Sequence, residues 1–175
     1  MAIIKEIRGT KPTIGNNCFL AETAAIIGDV TMGDNCSIWY GTVLRGDVNT
    51  ITIGNNVNIQ DGAVVHTLYK RSTTVIGNNV SIGHNATIHG AHLQDNCLVG
   101  MGATVLDNAI VESGAIVAAG ALVTSGMKVE SGWIYAGVPA KKIKQVSPEQ
   151  QQEIIERIAN DYIMYASWYK NQGEM

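Results

Sequence analysis

Leu93-Gln94-Asp95-Asn96-Cys97-Leu98-Val99-Gly100-Met101-Gly102-Ala103-Thr104-Val105-Leu106-Asp107-Asn108-Ala109-Ile110-Val111 carries an aliphatic residue at every sixth position. A small residue follows four places after each of the first three. The same beat runs outward from this stretch. Upstream it reads Ile14, Leu20, Ile26, Met32, Ile38, Leu44, then Ile53, Ile59, Val65, then Ile76, Ile82, Ile88; downstream it continues to Val117 and Val123. Cys18, Ala24, Cys36, Ala63, Ala86, Ala115 and Ala121 take the small slot. Between hexads lie turn tripeptides such as Gly15-Asn16-Asn17, Gly54-Asn55-Asn56 and Gly77-Asn78-Asn79, built from the residues that best tolerate positive φ.

A period of six is neither a simple strand nor a helix, because a six-residue step drifts around a 3.6-residue turn. It fits a triangular solenoid with a short strand on each side, a turn at each corner and three hexads per coil. Coils of this kind stack as parallel strands about 4.8 Å apart. The hexads fill about six coils and end near Val123. The fold expected is an all-β solenoid over residues 1–146, interrupted by loops near 45–52 and 67–75. The segment from Trp133 to Lys141 is expected to lead away from the repeat. A helix then spans 147–172, with Ser147 as N-cap, Pro148 in the first turn and Gln150 completing a capping box. Its apolar stripe is Ile155, Ile158, Tyr162, Tyr165 and Tyr169, which should pack on the solenoid or on a neighbouring subunit.

Composition narrows the function. A net charge of −3 over 175 residues, with no Lys/Arg block, argues against nucleic-acid binding. No apolar run approaches the ~20 residues of a membrane helix, and Met1 to Lys11 lacks the design of a signal peptide, so a cytoplasmic protein is expected. Gly at 19 residues and Phe at one suit short strands, tight turns and a narrow interior. Cys18, Cys36 and Cys97 all fall in the small inward slot, where a free Cys packs as a small hydrophobe.

Three of the four histidines can be placed by counting hexads. Leu44, Val65 and Ile88 lie one coil apart on one face, so Arg45, His66 and His89, each one residue later, form a column. Asp61 and His84, each two residues after its hexad anchor, form a second column on the preceding face, with Gln60 beside it. His66 and His89 can share an ion, but His84 reaches it only from another chain. A cyclic trimer closes that geometry. His92 lies off both columns and reads as a surface residue. Three histidines with an open fourth position make a catalytic metal arrangement, whose chemistry is a bound water with its pKa pulled toward ~7. Gln60 can orient that water. Arg45, Asp47 and Asp61 either fix the ligand frame across the interface or hold the trimer together alone.

These residues resemble the γ-class carbonic anhydrases and their relatives in the hexapeptide-repeat superfamily. The resemblance rests on Leu44-Arg45-Gly46-Asp47, Asn58-Ile59-Gln60-Asp61, His66, Gly83-His84 with His89-Gly90, and Val99-Gly100-Met101-Gly102. It implies a left-handed parallel β-helix and a homotrimer with metal at each interface. The implied ligands are His66 and His89 of one subunit and His84 of the next, holding Zn2+, with Fe2+ or Co2+ as alternatives. It implies Gln60 beside the bound solvent, Arg45, Asp47 and Asp61 at the interface, and Tyr162 near the metal. The substrate implied is CO2 and its product bicarbonate. One departure bears on rate: the acidic proton-relay loop of the best-studied member is replaced here by Tyr69-Lys70-Arg71, and Val48 follows Asp47. Slow turnover is therefore expected. The alternatives are an acyl-CoA thioesterase, a hexapeptide acyltransferase, suggested by Ala136-Gly137-Val138-Pro139-Ala140-Lys141, or a non-catalytic trimeric scaffold. Metal content separates transferase from hydratase, because the transfer chemistry requires no ion.

Overall fold

The computed structural model describes residues 1–170. Its core is a parallel β-solenoid of about seven turns followed by one C-terminal helix, matching the hexapeptide β-helix expected. One face stacks Phe19–Leu20, Ser37–Ile38, Asn58–Ile59, Ser81–Ile82, Leu98–Val99, Ile116–Val117 and Trp133–Ala136. The other two faces merge into one continuous sheet, because single strands turn the corner between them. Every hexad anchor from Ile26 to Val123 points inward and is 2% exposed or less, while Leu20, nearer the end of the stack, is half-buried.

Most corners are made by residues in the left-handed region. Asn17, Asn35, Asn56, Asn79 and Asn96 occupy one corner with φ between 55° and 56°, and Gly114 and Gly132 continue it. Their side-chain amides bond up the stack: Asn17 Nδ2 to Asn35 Oδ1 at 2.7 Å, Asn56 Nδ2 to Asn79 Oδ1 at 3.0 Å, Asn79 Nδ2 to Asn96 Oδ1 at 3.1 Å. Asn tolerates this backbone because its short side chain can bond locally.

Two expectations are corrected. The repeat does not end near Val123. Lys128–Val129 pairs with Ile110–Val111, and Trp133–Ala136 pairs with Ile116–Val117, so a seventh turn forms and the segment from Trp133 stays within the fold. Only then does Lys141–Gln145 return antiparallel to close the stack. The hexad beat itself runs on to the buried Val129 and is broken only at the next slot, where Tyr135 rather than an aliphatic residue points inward. The stretch 45–52 is not a loop either. It lies inside one strand, Val43–Ile53, which pairs with Ala25–Met32 through an irregularity near Gly28 and Val30. Its β-branched residues and the long strand Ala25–Met32 below it allow both coils to cross the corner as sheet. Of the stretch 67–75, residues 67–73 do loop out, closed by a bridge between Leu68 and Ser72, and Thr74–Ile76 rejoins the sheet.

Ser147 caps the C-terminal helix as expected, accepting from Gln150 N while Gln150 Oε1 accepts from Ser147 N, both at 3.2 Å. Pro148–Gln150 leads into a π-helical turn, Gln151–Glu156, and an α-helix, Arg157–Lys170; residues 171–172 of the expected helix lie outside the described residues. The helix packs on its own solenoid, with Tyr162 and Tyr165 against the core cluster. Among the described residues, no helix is long and apolar enough to cross a membrane.

Ile82 is fully buried at the centre of the stack, so Ile82→Ala should destabilise the protein by about 2–5 kcal/mol. Ile110→Ala, on the outer surface of its strand, should cost less. Chemical denaturation followed by circular dichroism checks the order; equal losses would contradict the burial assigned to the hexad anchors.

Candidate metal centre

The parallel ladder sets His66 opposite His89, with Val64–Val65 opposite Thr87–Ile88. His66 Nδ1 and His89 Nε2 face each other at 3.2 Å, with the rings inclined at 61°. The outer nitrogens are each held by a carboxylate. His66 Nε2 lies 3.1 Å from Asp47 Oδ1, and His89 Nδ1 lies 3.0 Å from both oxygens of Asp107. An ionised carboxylate only accepts, so each outer nitrogen carries the proton in a neutral ring. Both inner nitrogens then present lone pairs to one point.

That arrangement fits a cation. With metal–nitrogen bonds of about 2.0–2.1 Å, two ligands of a tetrahedral ion sit about 3.3 Å apart. Carboxylates behind the histidines are the usual partners that fix tautomer and raise ligand basicity. His84 stands apart, in the second column, with its Nδ1 2.9 Å from Asp61 Oδ2 and its side chain 38% exposed. Among the described residues, no three His, Cys, Asp or Glu side chains of a single chain are placed to hold a metal ion.

The other expected residues gather around these columns. Arg45 Nη1 donates to Asp47 Oδ2 at 2.7 Å within the same chain; its backbone lies opposite Ile27 in the coil below. Gln60 is 6% exposed, and its Nε2 donates to Asn58 Oδ1 at 3.0 Å, while Asn58 Nδ2 donates to Ser81 Oγ at 2.7 Å. Tyr162 packs edge-on to Trp39 at 5.3 Å and shares a cleft with Tyr40 and Asp61. Burial, and then the nearby Asp61 charge, push its hydroxyl up to about 12, so it stays a proton donor at neutral pH. His92 is exposed on its strand.

Asp107 and Ser72 escaped the reading of the sequence. Ser72 Oγ donates to Asp107 Oδ1 at 2.5 Å and accepts from Leu68 N at 3.2 Å, so the outlooped 67–73 segment is tied to the histidines through Asp107. The signal was present: Asp107 follows His89 by three hexads, one coil up. Gly90 makes room for the contact, since a Cβ there would strike Ser72 Oγ and Asp107 Oδ1.

Burial disfavours ionisation of Asp47, but hydrogen bonds from Arg45 and His66 outweigh it and hold the carboxyl below its usual range. Asp107 is likewise held low, by Ser72 and His89 against burial. Burial pulls His66 down, against the hydrogen bond to Asp47.

The bacterial transferase hexapeptide model (six repeats) matches residues 11–46, and the hexapeptide repeat of succinyl-transferase matches residues 73–107. The chain is 39% identical over 168 residues to a carbonic anhydrase of Geobacillus kaustophilus, covering 96% of this chain and 91% of that one. It is 43% identical over 167 residues to gamma carbonic anhydrase 2, mitochondrial, of Arabidopsis thaliana, covering 93% of this chain. The chain spans 60% of the length of that plant protein and 52% of gamma carbonic anhydrase 1 from the same plant. A crystal structure of a hexapeptide transferase family protein from Anaplasma phagocytophilum superposes with a TM-score of 0.91 at 44% identity, over 95% of this chain and 98% of that one.

These shifts set a pH dependence. A histidine with a lowered folded pKa disfavours the proton in the folded state, so its stability contribution is complete above the unfolded value, about 6.5, and fades as pH falls. A depressed carboxylate contributes above its unfolded value, about 3.9, and its contribution is lost as pH falls through the lower folded value. Metal-free protein should therefore lose thermal stability in two stages on acidification. Asp107→Asn should diminish the lower stage and leave the upper one, as read from melting temperature against pH.

Proposed function

This chain belongs to the γ-class carbonic anhydrase-like family of hexapeptide-repeat proteins, and from that premise we propose that it hydrates CO2 reversibly at a metal ion shared between subunits of a homotrimer. The observation that carries the reading is the pair of imidazole nitrogens 3.2 Å apart, each ring backed by its own carboxylate. His66 and His89 of one subunit would hold the ion together with the neighbour's copy of His84. Asp61 supports the reading by engaging His84 Nδ1 and leaving Nε2 for the ion. Three imidazoles suit Zn2+, with Fe2+ and Co2+ as alternatives. Such an ion supplies a water that gives up its proton near neutral pH.

The chain's own residues then divide the remaining work. Gln60, fixed by Asn58, offers an amide that orients solvent and the CO2 oxygens. Tyr162, protonated at neutral pH, donates a hydrogen bond from the helix side. Asp47 and Asp107 keep the two rings in the tautomer that turns lone pairs inward. Arg45 pairs with Asp47 in its own chain and, on the expected trimer, lies within reach of the neighbouring column.

Proton export is the weak step. The segment over the centre carries Lys70 and Arg71 in place of carboxylates that accept a proton and pass it on. Turnover should therefore be limited by the buffer: kcat for CO2 hydration should rise with imidazole concentration while kcat/KM stays level. A kcat indifferent to buffer would contradict a missing relay.

Elemental analysis of protein purified without chelator, and without oxygen, should find about one ion per chain in a trimer. His84→Ala should lose both metal and hydration activity, and affinity for metal should fall on acidification because protons compete for the ligands. A trimer that binds none of these ions when they are offered would overturn the reading. Asp107→Asn should weaken metal binding by about 10–100-fold, the usual effect of losing a carboxylate behind a ligand histidine. Competition against a chromogenic chelator measures it.

A further inference from the structure

The outer surface of the face anchored by Ile59, Ile82, Val99 and Val117 holds a separate concavity of about 270 Å3 under the C-terminal helix. Its shape follows from one column. Gln60, Gly83, Gly100 and Ala118 each lie one residue past an inward anchor in successive coils, so they stack in line on the outside. Two glycines and an alanine leave a trough in that column. Glycine is required by stacking as well: a Cβ on Gly83 would lie 2.6 Å from Met101 N, and one on Gly100 would lie 2.5 Å from Ala119 N.

Leu98 and Ile116 form the wall on one side, and Ile154 and Ile158 of the helix roof it over. Gln60 closes the lower end as the one long side chain of the column. It is 94% buried by its exposure of 6%, and Asn58 fixes one of its amide hydrogens. Among the described residues, the second hydrogen of Gln60 Nε2 has no acceptor. The next residue, Asp61, holds His84. The trough is thus long, largely apolar and narrow, and its polar side chains, Ser81 and the Gln60 amide, both lie toward the end beside the proposed centre.

CO2 needs no such length. A sugar or nucleotide would need hydrogen-bonding side chains along the whole length, whereas beyond Ser81 the walls carry none, and a cation would need a carboxylate among them. We propose that the trough holds an unbranched aliphatic acyl chain with its carbonyl group at Gln60. Three steps between coils span about 14 Å, the length of an extended chain of roughly ten carbons. The free carboxylic acid and its thioester share this chemistry. The proposal rests on the reading of Gln60 as a neighbour of the metal centre, and it does not require CO2 hydration.

The test is calorimetric titration of the metal-loaded protein with straight-chain carboxylates from butyrate to dodecanoate. Affinity should rise roughly three- to fourfold per added methylene and level off near ten carbons. Ala118→Leu fills the trough and should weaken decanoate at least tenfold while leaving butyrate unchanged. Ile154→Trp, which fills it from the helix side, should do the same should the first variant fold poorly. Affinity independent of chain length, or decanoate bound equally by the wild type and a folded trough-filling variant, would overturn the proposal. Parallel titration with a decanoyl thioester of a small thiol names the source: tighter binding of the thioester marks it as the ligand, and tighter binding of the acid marks the acid. CO2 hydration is measured on the same preparation. Chain-length-dependent binding without hydration refutes the hydratase reading alone, and hydration without chain-length dependence refutes the trough alone.

Discussion

A triangular coil must bend three times in about eighteen residues, and in this protein most of those bends are made by residues with positive φ. Everything else depends on that requirement. Asn17, Asn35, Asn56, Asn79 and Asn96 meet it at one corner, and glycines or asparagines such as Gly62, Asn85, Gly102 and Gly120 meet it at another. A β-branched residue in such a position would be strained, so the corners cannot slide along the sequence. Once the corners are pinned, the strands between them have one register. The asparagine amides then bond from coil to coil, so the residues that bend the chain also hold the stack together.

Fixed register is what turns a periodic sequence into chemistry. An insertion of five residues separates the coil of His66 from that of His89, yet their spacing of 23 residues brings them directly opposite. The extra residues are absorbed by the outloop, whose own Ser72 returns to Asp107. Backbones in neighbouring coils stand about 4.8 Å apart, too far for two nitrogens to share an ion without tilting the rings. The 61° inclination closes the gap to 3.2 Å. Asp47 below and Asp107 above hold that tilt. A slip of one residue would turn His66 into the core.

Counting hexads was enough to read the solenoid, the two histidine columns, the Asp61–His84 pair and the capping box at Ser147, because each follows from register or from local bonding. The seventh turn was only half legible. Val129 keeps the beat, but Tyr135 broke the aliphatic pattern at the next slot, although the backbone beneath it repeats unchanged. The long strand Val43–Ile53 was missed for a related reason: a break in the period shows where the lattice changes but not whether the chain leaves the sheet. Asp107 was countable from His89, but an acidic residue in a turn reads first as a turn former. Ser72 and the Ile154 side of the helix were beyond counting, because a loop's return path and a helix's approach depend on packing between distant segments.

The inward face of this fold has little freedom, since each position must fill a narrow interior. The outward face is where residues can differ, and repetition makes every outward choice part of a line. Histidines in one line put two nitrogens on one point. Aspartate and histidine in a second line leave an imidazole facing outward on a carboxylate support. Glycines in a third line open a trough that ends at Gln60. The three lines run side by side through the same coils, so polar chemistry and an apolar cavity adjoin without either entering the core. Arrangement in lines also explains why one chain carries an incomplete ligand set. Columns on different faces of a triangle diverge, and side chains from two of them can converge only where another copy of the triangle is set against the first.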